Sequence, residues 1–285
     1  MDVSVDALTS FAVFAEHLNF TRAAEQLHIS QPALHVKVRK LAESLGRPLY
    51  RRDGRRLVLT ADGETVARFA RAHDERLAHF LSEFSGAART RPVVLAAGQG
   101  AYLYLLGDTI RTMSAGERTR LRLINCDHRQ MLAAVRSGHA HVGVSVLDVL
   151  PDDLTAAPLA TFPQVLLVPT GHRLARRRSV TMRDLAGESL VVPPSPRPQR
   201  ILLEQGLRSA GADWTVAVEA EGWPLITHFV TLGVGLAIVN GCVPVPRGLT
   251  AKPVTDLPSV TYHVVHRPEA TDDPRVTALL DAFPW

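Results

Sequence analysis

The chain predicts a mixed α and β fold with three successive parts: a small and mainly helical unit, one long helix and a larger α/β region. Three observations support this prediction. Apolar residues recur at helical spacing as far as Leu45, a proline-free stretch runs from Thr60 to Phe84, and strand and helix patterns alternate from Val93 onward. With 285 residues and 46% hydrophobic content, the chain can bury about two or three separate cores.

The N-terminal unit begins with two predicted helices. The first starts at Leu8, and its inward face carries residues at helical spacing, namely Leu8, Phe11, Ala12, Ala15 and Leu18. Thr21 is the expected N-cap of a shorter helix, because its hydroxyl can accept a hydrogen bond from an unpaired N–H group of the first turn. Ala24 and Leu27 face inward on that helix, and His28 and Ile29 form the turn after it.

A third helix is predicted from its N-cap Ser30 to its C-terminal residue Gly46. Pro32 fits the first turn, because its missing N–H would have no partner within the helix. The buried stripe consists of Leu34, Val38, Leu41 and Leu45. At about 100° per residue, the opposite side exposes Pro32, His35, Val36 and Arg39, with Gln31 at its leading end.

Basic residues concentrate around this third helix and just after it. Between Ser30 and Thr60 they are Lys37, Arg39, Lys40, Arg47, Arg51, Arg52, Arg55 and Arg56, and only Glu43 and Asp53 oppose them. The pair Asp53-Gly54 is typical of a hairpin turn, so Arg52 and Arg55 would flank its tip. A charge run alone is typical of any solvated face. Its coincidence with a capped helix and a hairpin favours attraction to phosphates.

The order of helix, turn, helix and basic hairpin is that of a winged helix-turn-helix, which places its last helix in a groove of the duplex. Double-stranded DNA is therefore the expected partner. The residues expected to contact it are Thr21, Gln31, Pro32, His35, Val36, Arg39, Arg52 and Arg55.

This segment resembles the LysR-type transcriptional regulators. The matching residues are Phe11, the run from Phe20 to Leu34, Leu41, Leu45-Gly46, "LYRR" from Leu49, and "GRRLVLTADG" from Gly54 to Gly63. Over the remaining chain, the resemblance is one of length and element order. The family usually has Ser at the position of His35 and Arg or Lys at that of Val36, so the resemblance implies the docking mode but not the base preference.

The stretch from Thr60 to Phe84 predicts one long helix with Thr60 as its N-cap. Alternating steps of four and three residues form a narrow seam, which consists of Val66, Ala70, His73, Leu77, Phe80 and Phe84. A lone helix would leave this seam exposed, and the resemblance implies dimerisation through it. A homodimer or homotetramer could then read an inverted-repeat operator. Alternatively, the stripe packs on its own domain, with Phe69 and Leu81 beside it.

The small and polar segment from Ser85 to Pro92 is the predicted hinge. Residues 1–60 would then form the DNA-binding domain, residues 61–91 the linker helix and hinge, and residues 92–285 an effector-binding domain. Lobe I of that domain is assigned residues 92–161 and 266–285, and lobe II residues 162–265. The alternation predicts parallel sheets and one helix from Tyr102 to Met113. The strand from Tyr262 to Val265 is expected to return to the first half.

Two joined α/β lobes would enclose a cleft. Ligands of open α/β sheets sit beyond the carboxyl ends of strands, where the loops are residues 98–101, 125–129, 194–197 and 222–228. The resemblance implies a fold like that of periplasmic solute-binding proteins, with a small-molecule effector between the lobes. The expected effector contacts are Gln99, Gly100, Ala101, Ser195, Arg197, Trp223, Thr227 and His228.

Enzymatic sites are not indicated. The "GQG" from Gly98 lacks both the dinucleotide-binding spacing and a P-loop Lys, and Ser195 lacks a nucleophile elbow. His139 and His141, even together with Cys126 and His128, do not show the spacing of metal ligands. No catalytic residue, metal or cofactor is therefore expected. The alternative interpretation is a solute-binding protein or a small-molecule enzyme fold that carries a structural N-terminal helical domain.

Charge and cysteine content agree with a cytoplasmic DNA-binding protein. The net charge is +4, the pI is near 9.4, and the N-terminus lacks a signal pattern. No run reaches the roughly 18 apolar residues of a membrane span. The two cysteines, Cys126 and Cys242, suit a reducing compartment, and either a structural or a redox role stays open for them. RNA polymerase is a further candidate partner of such a regulator.

Overall fold

A computed structural model of the protein describes residues 3–85, 92–115 and 120–285. The predicted hinge falls mainly on residues 86–91, outside these ranges. The elements of the N-terminal part are α1 (Val5–His17), α2 (Phe20–Gln26), α3 (Gln31–Leu45), β1 (Tyr50–Asp53), β2 (Arg56–Leu59) and α4 (Ala61–Ser85). Within the described residues, no helix combines the length and apolar character needed to traverse a bilayer.

Two predictions about the first helices were wrong. α1 begins at Val5 rather than Leu8, because the Leu8 N–H already donates to the Ser4 carbonyl at 3.1 Å. The N-cap of α2 is Asn19 rather than Thr21, since the Asn19 amide oxygen accepts from the N–H groups of Thr21 (3.0 Å) and Arg22 (3.2 Å).

The predicted limits of α3 are confirmed. Ser30 caps the helix by accepting a hydrogen bond from the Ala33 N–H at 3.3 Å, and Gly46 ends it with a φ of 66°. Its Leu34, Val38 and Leu41 are buried against α1, whose inward side chains include the fully buried Phe11 and Phe14. Tertiary packing of this core holds the exposed face of α3 in place.

The hairpin and the long helix are joined by one threonine. Thr60 donates its hydroxyl proton to the Pro48 carbonyl at 2.6 Å and accepts from the Gly63 N–H at 3.0 Å, which confirms it as the N-cap of α4. Gly63 lies so close to Leu49 that an added Cβ would overlap the backbone of that residue. The wing is therefore fixed to the start of the linker helix.

The C-terminal region alternates strands and helices along the chain. Its elements are β3 (Val93–Ala97), α5 (Gln99–Tyr104), α6 (Gly107–Ala115), β4 (Leu121–Asn125), α7 (His128–Ser137), β5 (Val142–Val146), β6 (Thr155–Phe162), β7 (Gln164–Pro169), β8 (Ser189–Val192), α8 (Pro198–Ser209), β9 (Thr215–Glu219), α9 (Trp223–Thr231), β10 (Ala237–Asn240), β11 (Leu249–Pro253), β12 (Val260–His266) and α10 (Pro274–Asp281).

These strands form two lobes, and the prediction of parallel sheets was only partly right. Lobe I contains a sheet in the order β4-β3-β5-β12-β6, in which β4, β3 and β5 are parallel and β12 runs antiparallel to both neighbours. In lobe II, β8 and β9 are parallel, whereas β10 and β11 flank β7 antiparallel. Hydrogen bonds of Leu236 with Ser189 and Val191 join the two groups of strands of lobe II.

Two further expectations about this region need correction, and two strands were missed. The lobe boundary at residues 265 and 266 was too late, because all of β12 pairs with β5 and β6, with Val264 opposite Val144. The helix predicted from Tyr102 to Met113 is broken into α5 and α6, and the fully buried Leu106 lies at the break. The strands β6 and β11 were not predicted.

Candidate DNA interface and effector cleft

The outward side of α3 is exposed as the sequence predicts. Gln31, Pro32, His35 and Arg39 are all exposed, and Val36 keeps 41% of its accessible surface. The leucine and valine stripe of the same helix lies in the core behind them. α3 therefore has the geometry of a recognition helix, with one anchored side and one free side.

A groove of about 530 Å³ separates the start of α3 from the wing. Its lining residues are His17, Leu18, Asn19, Phe20, Thr21, Arg22, Gln31, Arg52, Arg55, Arg56 and Leu57. The groove brings together Thr21, Gln31, Arg52 and Arg55, all of which were predicted DNA contacts. Sequence reasoning did not choose Arg22 or Arg56, although each stands beside a chosen residue. Four guanidinium groups thus line one concave surface.

Contacts among the side chains orient this surface. The Thr21 hydroxyl donates to the Gln31 amide oxygen at 3.3 Å, which links α2 to the first residue of α3. The His35 ring lies 4.8 Å from the Phe20 ring, which in turn stacks on Phe14 at 4.2 Å. These aromatic contacts restrict His35, while its position leaves the ring exposed.

The basic residues of α3 differ in how far their charge is compensated. Lys37 forms an ion pair with Asp6 at 2.7 Å, and this carboxylate weakens the attraction of Lys37 for a DNA phosphate. Arg39 lies 3.5 Å from Glu43, one helical turn away on the same exposed side. The wing presents exposed Arg52 and Arg55 beside the groove.

The predicted seam of α4 is buried in the N-terminal core at its start and exposed at Leu77. Ala70 is buried and Val66 is half-buried in the N-terminal core against α1, so Ala70 is not available to a partner. His73 is half-buried, and its ring lies 6.3 Å from that of the exposed Phe69. Leu77 keeps 39% of its surface. The side chains of Phe80 and Phe84 lie outside the described residues.

A cleft of about 540 Å³ lies between the two lobes of the C-terminal region. Its lining residues are Gly98, Gln99, Gly100, Asn125, Cys126, Asp127, Gln130, Pro193, Pro194, Arg197, Gln199, Glu221, Gly222, Trp223 and Ile226. They stand at or near the first turns of α5 and α7 from lobe I and of α8 and α9 from lobe II. Each of the four predicted loops contributes to the cleft.

Of the eight residues expected to contact the effector, four line the cleft and four do not. Gln99, Gly100, Arg197 and Trp223 line the cleft. Ala101 is instead buried in the core of lobe I, and the buried Thr227 donates its hydroxyl proton to the carbonyl of Pro224 in its own helix. Ser195 and His228 are exposed and do not line the cleft. These four residues therefore do not line the cleft, and their contact with an effector stays a prediction.

Sequence reasoning missed the N-cap of α7, Asp127, which lines the cleft. The Asp127 carboxylate accepts from the Gln130 N–H at 2.9 Å, and the Gln130 amide oxygen accepts from the Asp127 N–H at 3.2 Å. This reciprocal arrangement is a capping box, and its spacing of three residues is visible in the sequence. Asp127 thus starts α7 and faces the cleft.

Arg197 bridges the two lobes at the cleft. Its guanidinium pairs with Glu221 of lobe II, and its Nη1 lies 3.6 Å from Oδ2 of Asp127 in lobe I. The two lobes also come close together where α5 of lobe I meets α9 of lobe II. A Cβ added to Gly100 would lie only 2.9 Å from the Trp223 side chain. Gly222 has a φ of 88°, and a Cβ there would lie 2.8 Å from the Gln99 amide oxygen.

Tyr102 and Cys126 at the cleft are held neutral by their surroundings. Burial raises the pKa of Tyr102 to about 12, and its hydroxyl donates to the carbonyls of Leu95 (2.7 Å) and Ile124 (3.0 Å). Burial also raises the pKa of the Cys126 thiol, and the carboxylate of Asp127 raises it further. Cys126 is therefore a protonated lining residue at neutral pH.

The linker helix contacts lobe I at the far end of α7. The nearly buried Arg71 of α4 donates a hydrogen bond to the carbonyl of Ser137, the last residue of α7. Shielding from water, followed by the charges of Arg71 and Arg122, lowers the pKa of the neighbouring His139 to about 4. Since His139 is neutral at physiological pH, it adds no positive charge to this junction.

The histidines considered as metal ligands have other partners. His141 is buried, and its Nδ1 accepts from the Val94 N–H at 2.9 Å, whereas His139 contacts Ser137. Among residues 3–85, 92–115 and 120–285, no group of three or more His, Cys, Asp or Glu side chains is arranged to hold a metal ion.

Two family models match successive parts of the chain. Residues 5–64 match the family model of the bacterial regulatory helix-turn-helix proteins of the lysR family. Residues 86–284 match the model of the LysR substrate binding domain.

Similar full-length proteins agree with these matches. The chain is 28% identical to a RuBisCO operon transcriptional regulator of Allochromatium vinosum over 84% of this chain and 80% of that protein. It is 26% identical to the transcriptional dual regulator OxyR of Escherichia coli over 99% of this chain and 95% of the relative. A structure of full-length OxyR from Pseudomonas aeruginosa superposes with a TM-score of 0.76 at 21% identity, and the match covers 99% of this chain and 95% of that one. The chain therefore belongs to the LysR family of DNA-binding transcriptional regulators and carries that family's effector-binding domain.

Proposed function

We propose that this regulator binds an inverted-repeat operator in double-stranded DNA as a homodimer or homotetramer, and that a small molecule in the interlobe cleft controls this binding. The observation that carries the DNA part is the exposed face of α3, which borders a groove with four arginines. The cleft, with polar groups from both lobes, carries the effector part.

At the duplex, α3 enters the major groove with Gln31 leading, because the residues at the start of a recognition helix meet the base edges. A glutamine amide can make two hydrogen bonds to adenine, and the exposed Val36 can contact a thymine methyl group. Arg52 and Arg55 of the wing, together with Arg22, supply phosphate contacts that carry no sequence information.

Dimerisation through α4 involves the part of the helix beyond Ala70. Val66 and Ala70 hold α4 on α1, whereas Leu77 remains exposed about two turns after Ala70. We assign Leu77, with Phe80 and Phe84 after it in the sequence, to the contact with a second copy. This arrangement keeps each recognition helix attached to its own linker helix while the copies pair further along.

Effector binding reaches the DNA-binding part through α7. The N-terminal cap of α7, Asp127, lines the cleft, and its last residue, Ser137, accepts a hydrogen bond from Arg71 of the linker helix. A ligand that binds one lobe arrangement better than another displaces α7 relative to α4. The spacing of the paired recognition helices, and with it DNA bending and access for RNA polymerase, then changes.

The chain acts through binding and not as an enzyme, since its relatives are transcriptional regulators. Its place of action is the cytoplasm, where the operator DNA lies.

The test is a selection of bound fragments from genomic DNA with the full-length chain, followed by fluorescence anisotropy at increasing salt. We expect an enriched inverted repeat, whose affinity falls steeply with salt because phosphate contacts release counterions. Equal affinity for the enriched and for random fragments would contradict the proposal.

A further inference from the structure

The charged side chains of the cleft are few, and they already pair with each other. Among its described lining residues they are Arg197, which is positive, and Asp127 and Glu221, which are negative. Arg197 pairs with both carboxylates. From this arrangement we propose that the effector is a small zwitterion of the amino-acid type, with one carboxylate and one ammonium group. This inference rests on the proposed function of the cleft.

A carboxylate of the effector would bind at Arg197. The guanidinium can form a bidentate pair with a carboxylate. α8 and α9 also begin at this place, and their N-cap residues, Arg197 and Gly222, make no side-chain capping hydrogen bond. Each first turn lacks one N–H because of its proline, Pro198 in α8 and Pro224 in α9, so these helix starts add positive dipole ends to the guanidinium but fewer N–H groups than an ordinary first turn.

The ammonium group would bind at Asp127 and Glu221. One carboxylate oxygen of Asp127 is used by the Gln130 N–H, whereas Oδ2 faces Arg197 at 3.6 Å. When the effector carboxylate engages Arg197, Oδ2 and the Glu221 carboxylate lose their cation. An ammonium group replaces that cation at the same place.

Effectors with a single charge fit this arrangement less well. A simple anion at Arg197 would lie beside two carboxylates without a compensating cation. A simple cation at the carboxylates would oppose Arg197. A zwitterion exchanges each existing pair for a new one, so no charge is left without a partner.

The remaining lining side chains indicate a polar effector. They include the amides of Gln99, Asn125, Gln130 and Gln199, whereas the large apolar side chains are only those of Trp223 and Ile226 among the described lining residues. The amides can donate to or accept from further polar groups of the effector. An aromatic or aliphatic acid would leave most of them unsatisfied.

The same exchange explains how the effector would act on the lobes. The contact of Arg197 with Asp127 links lobe II to α7 of lobe I. An effector that separates this pair replaces a direct contact with one through its own two charged groups. The distance between α8 and α7 then depends on the ligand.

The experiment compares three pools of small molecules in thermal unfolding of the full-length protein, with the best single compounds followed by calorimetry. The first pool contains the common amino acids, the second the 2-hydroxy acids with the same side chains, and the third the amines that lack the carboxylate. We expect a rise in Tm with the first pool alone, because ligands that bind only the folded state raise Tm. An equally large rise in Tm with the second or third pool would overturn the proposal of a zwitterionic effector. The absence of a rise with any pool would also overturn it.

Variants test the assigned roles. Arg197→Gln and Asp127→Asn should each lower the affinity for the best amino acid by tenfold or more, as measured by calorimetry. Arg173→Gln is the matched control, since Arg173 pairs with Glu188 in lobe II and does not line the cleft, and it should leave the affinity unchanged. Unchanged affinity in both cleft variants would also overturn the assignment.

A separate measurement distinguishes failure of this inference from failure of the cleft as effector site. The probe is a small-molecule extract of bacterial cells, applied to wild type and to Gln199→Trp, which narrows the cleft at an exposed position. Suppose that the extract raises Tm in wild type but not in Gln199→Trp, and that the amino acids have no effect. This result would support the cleft as the effector site and would contradict a zwitterionic effector. No response to either probe would remove both.

Discussion

Arg71 of the linker helix donates a hydrogen bond to the carbonyl of Ser137, the last residue of α7. The opposite end of the same helix begins at Asp127 in the effector cleft. α7 therefore has one end in each functional region, and its ten residues span about 15 Å at the rise of an α-helix. This is the physical connection on which the proposed regulation depends.

Removal of the hydrogen bond between Arg71 and Ser137 should uncouple the DNA-binding part from the cleft. In wild type, operator binding should change amide hydrogen exchange in α7, because coupling between two sites acts in both directions. In Arg71→Ala, operator affinity should stay within about threefold while the exchange of α7 no longer responds to DNA. Arg111→Ala is the control, since Arg111 pairs with Asp108 on the exposed side of α6. A full response of α7 in Arg71→Ala would reject the connection.

Gln31 should contribute to sequence discrimination. In Gln31→Ala, the preference for the selected operator over random DNA should fall by about tenfold, the size expected for loss of one bidentate base contact. Competition anisotropy with both DNAs measures this ratio. Thr21→Val removes only the hydroxyl that donates to Gln31, so its effect should be smaller. Equal losses on operator and random DNA would contradict a role of Gln31 in reading bases.

The wing arginines should contribute affinity without discrimination. Arg55→Ala should weaken binding to all sequences by about three- to tenfold and reduce the slope of log affinity against log salt by about one. Lys37→Ala is a matched loss of one positive charge at a residue already paired with Asp6, so its effect should be smaller than about twofold. An operator-specific loss in Arg55→Ala would argue for a base contact instead.

The exposed part of α4 should control the oligomeric state. Leu77→Asp combined with Phe80→Asp should convert the protein to a monomer, since it would bury unpaired carboxylates in an apolar interface. Sedimentation velocity measures the change, and circular dichroism checks that the monomer is folded. Val149→Asp, at a position that keeps 83% of its surface, is the control and should leave the assembly intact. An unchanged sedimentation coefficient of the double variant would reject the interface.

The Cys126 thiol should react slowly at neutral pH. Its pKa is raised by burial and then by Asp127, so the reactive thiolate becomes populated only at higher pH than in an unfolded chain. In Cys242→Ser, which retains Cys126 alone, the pH midpoint of alkylation should exceed that of the denatured protein. Asp127→Asn should lower that midpoint. A midpoint at or below the denatured value would contradict this environment and would favour a redox role for Cys126.

Local chemistry explains which parts of the fold could be predicted. The limits of α3 depend on Ser30 and Gly46, whose capping preferences act within one helical turn, and both were predicted correctly. The start of α2 was predicted at Thr21, whereas Asn19, another residue type with a strong capping preference, caps the helix. Packing of the intervening Phe20 on Phe14 is a tertiary contact, and it accompanies the choice of Asn19.

The effector cleft shows a similar limit. The loops could be located from the ends of strands, but the helical phase decides which residues face the ligand. At the start of α5, Gln99 lines the cleft, whereas Ala101, two residues later, points into the core of lobe I. In α9, Thr227 lies one turn after Trp223, but its buried hydroxyl is bonded to the carbonyl of Pro224 within the helix. A sequence pattern of only one turn does not define that phase.

The most direct test of the account is whether the outward side of α3 touches the bases of the operator. A photoreactive benzophenone amino acid at position 36 should crosslink to operator bases, and the same group at position 201 in lobe II should not. Val36 and Ile201 both keep 41% of their surface, so exposure does not distinguish them. Crosslinks from position 36 that map within the inverted repeat are the predicted result. Crosslinking from position 201 and none from position 36 would contradict the DNA-reading role of α3.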